Sequence, residues 1–596
     1  LIKQFYNFGT FQIDVARRLL RRDGESVALA PKVFDMLLVL VEHGGQVLEK
    51  DRLMQMLWPD SEVEEANLPQ NISALRKALG ESPNERKYIV TIPGRGYRFA
   101  ADIKEVGRDE SEVIVERYSK ATLVIEEYEK QQERFTSIAV LPFVNMSADA
   151  ENDYFCDGLA EELINALTKI ERLRVVSRTS AFSFKGKDTD VREIGRQLNV
   201  LVIIEGSVRK SSNRLRITVQ LINVANGYHL WSERYDRQLK DIFDIQDEIS
   251  LAIVDALKVK LLGAEKAAVL KRHTENTEAH ELYLKGRYFW FSLNPEGWEK
   301  SRQCFEQAIE KDPAFALAYS GLSDALIAWG VFTPPNEAFP KAKEAALQAL
   351  KLDSSLAEAW CSRAAVKYFY ERDWTGAESD CRQSIALNPR YVLVHDLYAL
   401  CLLTQGRFEE GIHEASRTCE LDPLSGYFSA TLGCAFYFAR RYDEAEAQFL
   451  KGTEIDPEQI WSHIWLLDFY EQMRMYPKAL HHRQKLLTLF GNHELAIEIG
   501  QVFQQSSYQK VLRKCLDELH QQSKRSYVSP LDFATIHVRL GEPEKAMDWL
   551  DRAYEEWTWR LNFLKVSPTW ESLHSNPRYN DLLRRMGLPQ PYRPAN

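Results

Sequence analysis

The chain has 596 residues, a net charge of −10, 45% hydrophobic and 27% charged residues, which makes it too long for one core and unlike a protein coated in basic surface. No stretch nears the 18 or so uninterrupted apolar residues of a membrane span, and the opening "LIKQFYNFGTFQID" lacks a signal-peptide layout. The eight cysteines form no CxxC and have no histidine pair at zinc spacing, so reduced thiols, a cytoplasmic location, no metal and no cofactor are expected.

In residues 1–100, short alternating apolar runs with turns near Gly9 and Asp23-Gly24 predict a small N-terminal sheet. A helix follows with Val33, Phe34, Leu37, Leu38 and Val41 on one face, Pro31 at its start and Gly44-Gly45 as its stop. A second helix, "EKDRLMQMLWPD", ends at Pro59, and a third runs from Asn67 to Gly80 with Pro69 in its first turn. Leu68, Ile72, Leu75 and Leu79 share one face of the third helix. Gln70, Ser73, Ala74 and Lys77 lie opposite, with Asn71 and Arg76 on the flanks. Amides and small residues on an outer face suit a major groove, although a solvated helix face shows the same pattern. Next comes "YIVTIPGRGYRF", two strand-like runs around Pro93-Gly94-Arg95-Gly96, a turn that pushes one arginine outward.

Sheet, three helices and an arginine-tipped hairpin, with "PKVFDMLLVLVEHGGQVLEKDRLMQMLWPD", "ANLPQNISALRKALGE" and "YIVTIPGRGYRF", resemble the OmpR/PhoB-type winged helix-turn-helix in its CadC/ToxR-like branch. That resemblance implies that the third helix reads the major groove of double-stranded DNA and that the wing places Arg95 at the minor groove, with Tyr97 and Arg98 near phosphates. It also makes Asp60, Glu62, Glu64 and Glu65 candidate contacts to RNA polymerase, a role that four solvated acids mimic equally well. The charge is polarised: from Arg76 to Arg98 six basic residues face only Glu81 and Glu85.

Residues 104–136 are charged and end in a glutamate- and glutamine-rich run, and they read as a linker after a winged helix spanning 1–103. Membrane-bound CadC-like regulators place a transmembrane helix here; this chain has none in its place, so a cytoplasmic signal is expected. Residues 137–262 read as α/β: a buried strand at "SIAVLPF", helices at "DGLAEELINALTKI" and "DVREIGRQLNV", a strand at "RLRVVSRTSAF", three antiparallel strands over 201–236 and a closing helix. "AVLPF", "DGLAEELINAL" and "EGSVRK" resemble the TolB N-terminal-type domain of soluble CadC-like regulators. Neither a P-loop nor GxSxG, HExxH or a histidine pair occurs in this domain, so no catalytic residue and no enzyme activity are expected. Ser177-Arg178-Thr179 could hold an anion or form a polar strand end.

From 263 to 596 the boundaries Asp312-Pro313, Asp353-Ser354, Asn388-Pro389, Asp422-Pro423 and Asp456-Pro457 step by 41, 35, 34 and 34 residues, close to the 34-residue period of tetratricopeptide repeats. Gly433, Phe436, Ala445, Phe449, Ala377, Phe305 and Ala308 take the small and aromatic positions. Six clear repeats and one or two degenerate ones are expected, and "PTWESLHSNPRYNDLLRRMGL" resembles the C-terminal end of this regulator class. His481-His482 reads as surface chemistry on a helix rather than a metal pair. The expected fold is therefore a winged helix, an α/β domain and an all-α superhelix. The expected function is a one-component transcriptional regulator, its later domains sensing a signal or partner. No receiver-like domain precedes the winged helix, so phosphotransfer is not the expected switch. A protein or peptide in the tetratricopeptide groove is implied, and a homodimer is compatible with the reading. A scaffold or adaptor whose winged helix docks proteins is the rival.

Overall fold

A computed structural model describes residues 5–14, 19–22, 25–27, 29, 31–57, 67–81, 87–92, 95–101, 104–106, 136–147, 149, 152–211, 214–238, 241–257, 259, 261, 263–291, 294–330 and 333–588. The chain divides into two compact units, Leu1–Lys130 and Gln131–Asn596.

The first unit opens with an antiparallel meander, β1 (Phe5–Phe8), β2 (Phe11–Asp14), β3 (Leu19–Arg22) and β4 (Glu25–Val27). Helix α1 (Pro31–Glu42), strand β5 (Val47–Glu49), α2 (Lys50–Leu57), α3 (Asn67–Ala78) and the hairpin β6 (Ile89–Ile92) and β7 (Gly96–Phe99) follow. Two strands escaped the sequence reading. β5 pairs with β7 and gives the hairpin a third strand, and β8 (Lys104–Val106), inside the stretch read as linker, returns to pair with β1. The core is one cluster in which Phe8, Phe11, Tyr88 and Phe99 pack edge to face between the meander and the helices.

The second unit begins with a mixed sheet. β9 (Thr136–Val140), β11 (Leu173–Val175) and β12 (Val202–Ser211) run parallel, β13 (Arg214–Asn223) and β14 (His229–Gln238) continue it antiparallel, and β10 (Val144–Asn145) pairs with β12. Leu215, Ile217, Val219 and Leu221 of β13 are buried while Arg214, Arg216, Thr218 and Gln220 point away, the alternation a half-covered sheet requires. The buried face packs on α4 (Asp153–Thr168) and α7 (Ile242–Ala256); α6 (Val191–Leu198) covers the other. Where the sequence reading ran one strand through "RLRVVSRTSAF", β11 stops at Val175 and Arg178–Phe182 forms the short helix α5. The reason is tertiary, since Ser180 there binds a residue far along the chain, as described below.

After α8 (Gly263–Val269), eight helical hairpins follow among the described residues. They are α9/α10 (Thr277–Trp290, Pro295–Lys311), α11/α12 (Ala316–Gly330, Pro335–Leu352), α13/α14 (Ala357–Val366, Trp374–Leu387), α15/α16 (Val392–Gln405, Phe408–Leu421), α17/α18 (Gly426–Phe438, Tyr442–Ile455), α19/α20 (Ile460–Gln472, Tyr476–Leu489), α21/α22 (His493–Gln505, Tyr508–Gln522) and α23/α24 (Pro530–Arg539, Pro543–Glu555). The boundary residues Asp312, Asp353, Asn388, Asp422 and Asp456 end the second helices, each with extended or near-extended backbone. Asp312, Asp353, Asn388 and Asp456 each accept the backbone N–H two residues on, at 3.0, 3.0, 3.1 and 3.0 Å, which turns the chain into the next hairpin. Asp422 departs from this pattern. It is buried and accepts the Ser180 hydroxyl from α5, while Ser180 Oγ takes over as acceptor for Leu424 N at 2.8 Å. The hydroxyl-rich turn read as a possible anion site thus holds a carboxyl group of the chain itself, pushed up by burial and drawn back down by the hydroxyls of Ser180, Ser177 and Thr179.

His482 corrects another expectation. It is buried, stacks on Tyr470 and lies with its Nδ1 2.9 Å from Nδ1 of His463, whereas its neighbour His481 is the surface residue.

The last described segment, two 3-10 turns (Trp559–Phe563, Pro568–Leu573) and α25 (Pro577–Arg585), covers the face made by the first helices of the hairpins. Asn562 donates to Tyr368 O (2.9 Å), Lys565 to Gln405 O (2.6 Å) and Thr569 to Asp468 (2.7 Å), while Arg440 donates to Val566 O (2.8 Å) and Trp374 to Met586 O (3.1 Å). Phe563 wedges between Phe438 and Trp465. Among the described residues these contacts reach the third to the sixth hairpins, and Arg539 of the eighth donates to Thr569 Oγ1 at 3.3 Å.

Candidate DNA interface

Helix α3 divides as its spacing requires. Leu68, Ile72, Leu75 and Leu79 are buried, Gln70, Ser73, Ala74 and Lys77 are exposed, and Asn71 is half-buried at the margin. Arg76 and Lys77 fall in the last turn, where cations complement the helix dipole. Gly80, with φ +70°, ends the helix: its N–H bonds Lys77 O and the Glu81 N–H bonds Arg76 O, satisfying carbonyls that the helix leaves open.

Glu81 then fixes the wing. Its side chain is only 1% exposed and accepts the backbone N–H groups of Tyr88 and Ile89 at the start of β6. Arg76 reaches the same place from the helix, donating to Ile89 O at 2.9 Å and Thr91 Oγ1 at 2.8 Å, with Nε 3.6 Å from Glu81. Arg76, expected on the helix flank as a DNA-binding residue, is therefore a brace between α3 and the hairpin. A long side chain on a helix flank meets whichever partner the fold supplies, and here that is the edge of β6. The signal that could have found it is Glu81 itself, an acid five residues on, just past the glycine that ends the helix.

Tyr97 is the second correction. It is 6% exposed and belongs to the core under the wing, since alternate residues of β7 face inward and Tyr97 and Phe99 share that side. Arg95 is exposed, and its backbone closes the hairpin by donating to Ile92 O while its carbonyl accepts from Lys50 N. Arg98 is half-buried, with Nε lacking a hydrogen bond among the described residues. Lys87, not singled out in the sequence, is exposed at the base of the wing beside the Tyr88 ring.

Gly96 is required by contact. A Cβ there would sit 1.9 Å from Leu48 O on β5, so the glycine lets the third strand close against the wing, and no unusual φ is involved. Pro93, Gly94, Asp60, Glu62, Glu64 and Glu65 lie outside the described residues. Gln70, Asn71, Ser73, Ala74, Lys77, Arg95 and Arg98 are brought onto α3 and the hairpin, braced together by Arg76 and Glu81. Such an arrangement can present amides to base edges and cations to phosphates.

No described helix is long and apolar enough to cross a membrane. Among the described residues, no group of three or more His, Cys, Asp or Glu could hold a metal ion.

Residues 24–99 match the family model described as "Transcriptional regulatory protein, C terminal", and residues 133–252 match "HilA/YgeH-like transcriptional regulator, second domain". The likeness of the middle segment to TolB rests on its three sequence motifs alone. The transcriptional regulator HilA of Salmonella typhimurium is 22% identical over 82% of this chain and 80% of its own length. A Rhizobium meliloti protein named as an adenylate cyclase is 42% identical over 34% of the chain, a match spanning 35% of that protein. The solved DNA-binding domain of E. coli CadC is 28% identical over 18% of the chain and all of its own length, with a TM-score of 0.17. By these matches the chain is a transcriptional regulator with an OmpR/PhoB-type DNA-binding domain, and its middle segment is similar to the HilA/YgeH-like second domain.

Proposed function

We propose that the chain binds promoter DNA in the cytoplasm through α3 in the major groove and the wing in the adjacent minor groove. Gln70 and Asn71 meet base edges, with Ser73 and Ala74 close to the bases. Lys77 and Arg98 meet phosphates, and Arg95 enters the narrow groove. The carrying observation is the brace of Arg76 and Glu81, which fixes reader and wing at one angle before DNA arrives and so lowers the ordering cost of binding.

In this reading 1–103 is the DNA-binding domain, 104–136 the linker (its first part carrying β8), 137–262 the middle domain and 263–596 the repeats. RNA polymerase contacts at Asp60, Glu62, Glu64 and Glu65 belong to the same proposal. The middle and repeat regions sense a signal or partner, and a partner on the first-helix face has to displace residues 558–588 or use the uncovered hairpins. No catalytic activity is assigned; cyclic AMP formation from ATP by the purified chain would refute that part. Fluorescence anisotropy of the chain on duplex DNA, with Lys77→Ala and Arg95→Ala beside it, tests the rest. Both variants are expected to bind at least several-fold more weakly while remaining folded.

A further inference from the structure

Between α4 of the middle domain and the turns that open the hairpins lies a cleft of about 1550 Å³. That is larger than the roughly 300–1,000 Å³ of a small-molecule pocket, so a ligand would occupy one part of it. The most built part is the end formed by α4, α5 and α9. There, two guanidiniums from different elements share a single carboxylate. Arg178 Nε lies 3.0 Å and Arg287 2.8 Å from Glu161, a carboxylate only 8% exposed. Arg178 is also sandwiched between the rings of Phe182 and Phe291, at 4.0 and 3.7 Å from their centroids, which holds the guanidinium plane.

One carboxylate, Glu161, contacts both guanidiniums at this end; the nearby Asp157 is held by Lys185 at 2.7 Å, and Asp324, on the Arg287 side, accepts the Ser362 hydroxyl at 2.6 Å with its carboxyl pushed up by burial to about 6. Farther along the wall, Lys169 and Arg390 are held by backbone carbonyls. Acids line the cleft too: Glu162 is engaged by His280 and Gln246, Asp247 by Arg272 and Asp422 by Ser180, and Glu358 lies near Lys169. Two guanidiniums on one shared carboxylate keep donor capacity that an added anion would complete. Phe315, Leu317, Tyr391 and Phe428 add apolar and aromatic lining.

We propose that this end of the cleft binds a small organic anion, its carboxylate or phosphate head on Arg178 and Arg287 and its apolar body against the aromatic wall. The inference rests on the reading that the middle and repeat regions sense a signal, and it names the chemical class of that signal. The cleft is walled by the middle domain and by hairpins, so an occupant contacts both at once.

The test is isothermal titration of the full chain with four probes: phenyl phosphate, 3-phenylpropionate, inorganic phosphate and the neutral 3-phenylpropanamide. Saturable binding of at least one aromatic anion is expected, with inorganic phosphate weaker and the amide silent; the tighter of the two aromatic anions identifies the head group. Arg178→Lys and Arg287→Lys each keep a charge for Glu161 but lose the planar two-pronged donor, and each is expected to weaken binding at least tenfold. Should both variants misfold, hydrogen exchange of the unmutated chain with and without the tighter anion decides, protection being expected in 161–178 and 283–291. No binding by either aromatic anion, equal binding of the amide, variants that bind like the parent, or protection elsewhere overturns the proposal. DNA binding is measured on the same samples: a chain that binds DNA and no anion loses this inference and keeps the regulator reading.

Discussion

Replacing Arg76 with methionine separates a brace from a DNA contact. The change removes two charge-assisted hydrogen bonds, to Ile89 O and Thr91 Oγ1, and the cation beside the buried Glu81. Each such bond contributes about 1.5–3 kcal/mol, and breaking a buried ion pair costs about 3–5 kcal/mol. Two features lower the total: the ion pair is 3.6 Å long, and Glu81 keeps the N–H groups of Tyr88 and Ile89. Methionine also preserves the apolar stem. A net loss of about 2–4 kcal/mol follows, and at about 4–8 °C per kcal/mol for a domain of roughly 100 residues the midpoint should fall by roughly 8–32 °C. Thermal unfolding of a 1–110 fragment by circular dichroism reads this directly, because the core of the first unit is drawn from residues 6–99. Below its midpoint the variant should retain the parent's sequence preference. An unchanged midpoint with a tenfold or greater loss of DNA affinity would make Arg76 a contact and refute the brace.

Four further outcomes follow from the same geometry. Gly96→Ala places a methyl against Leu48 O, where no rotamer relieves it, so stability should fall by about 1–3 kcal/mol or more with DNA affinity falling alongside; a neutral substitution would mean that β5 does not pin the wing. Gln70→Ala and Asn71→Ala should relax preference at particular base pairs, each by about 1–3 kcal/mol where the contact is bidentate, whereas Arg95→Ala weakens all sites more evenly; binding-site selection on the three variants would expose the reverse. Ser180→Ala should cost about 1.5–3 kcal/mol by stripping a donor from buried Asp422, seen as faster hydrogen exchange in 178–182 and 422–426, and unchanged exchange there would discount the link. Burial holds His482 down to about 3; because the unfolded imidazole titrates near 6.5, its contribution is complete above that pH and is lost at about 1.4 kcal/mol per unit as pH falls toward 3. Urea midpoints at pH 7 and 5 should therefore differ less in His482→Gln than in the parent.

Periodicity made much of this molecule legible. The four apolar positions of α3, the alternation in β13 and the Asp or Asn at five of the hairpin boundaries are local patterns with one physical reading each. What escaped was decided by partners distant in sequence. Nothing around Arg76 says that its guanidinium will meet β6, and the three residues of β5 form a strand only because β7 supplies hydrogen bonds. Five residues from Arg178 carry no periodicity strong enough to prefer helix over strand, and Asp422 resembles the other boundary acids until Ser180 is placed beside it. His482 sits next to a surface histidine in sequence and differs only in which way the helix turns it. Residues 558–588 show the same limit, because covering the solenoid face is a property of the assembled hairpins.

The central claim is tested most directly by the salt dependence of duplex DNA binding to the 1–110 fragment. With Lys77, Lys87 and Arg98 at phosphates and Arg95 in the minor groove, each displacing a counterion, log K against log salt should be linear with a slope of roughly −3 to −4, near −0.9 per charge neutralised. Lys77→Ala should reduce that slope by about one. A folded fragment that shows no salt-sensitive binding to any duplex would contradict the account.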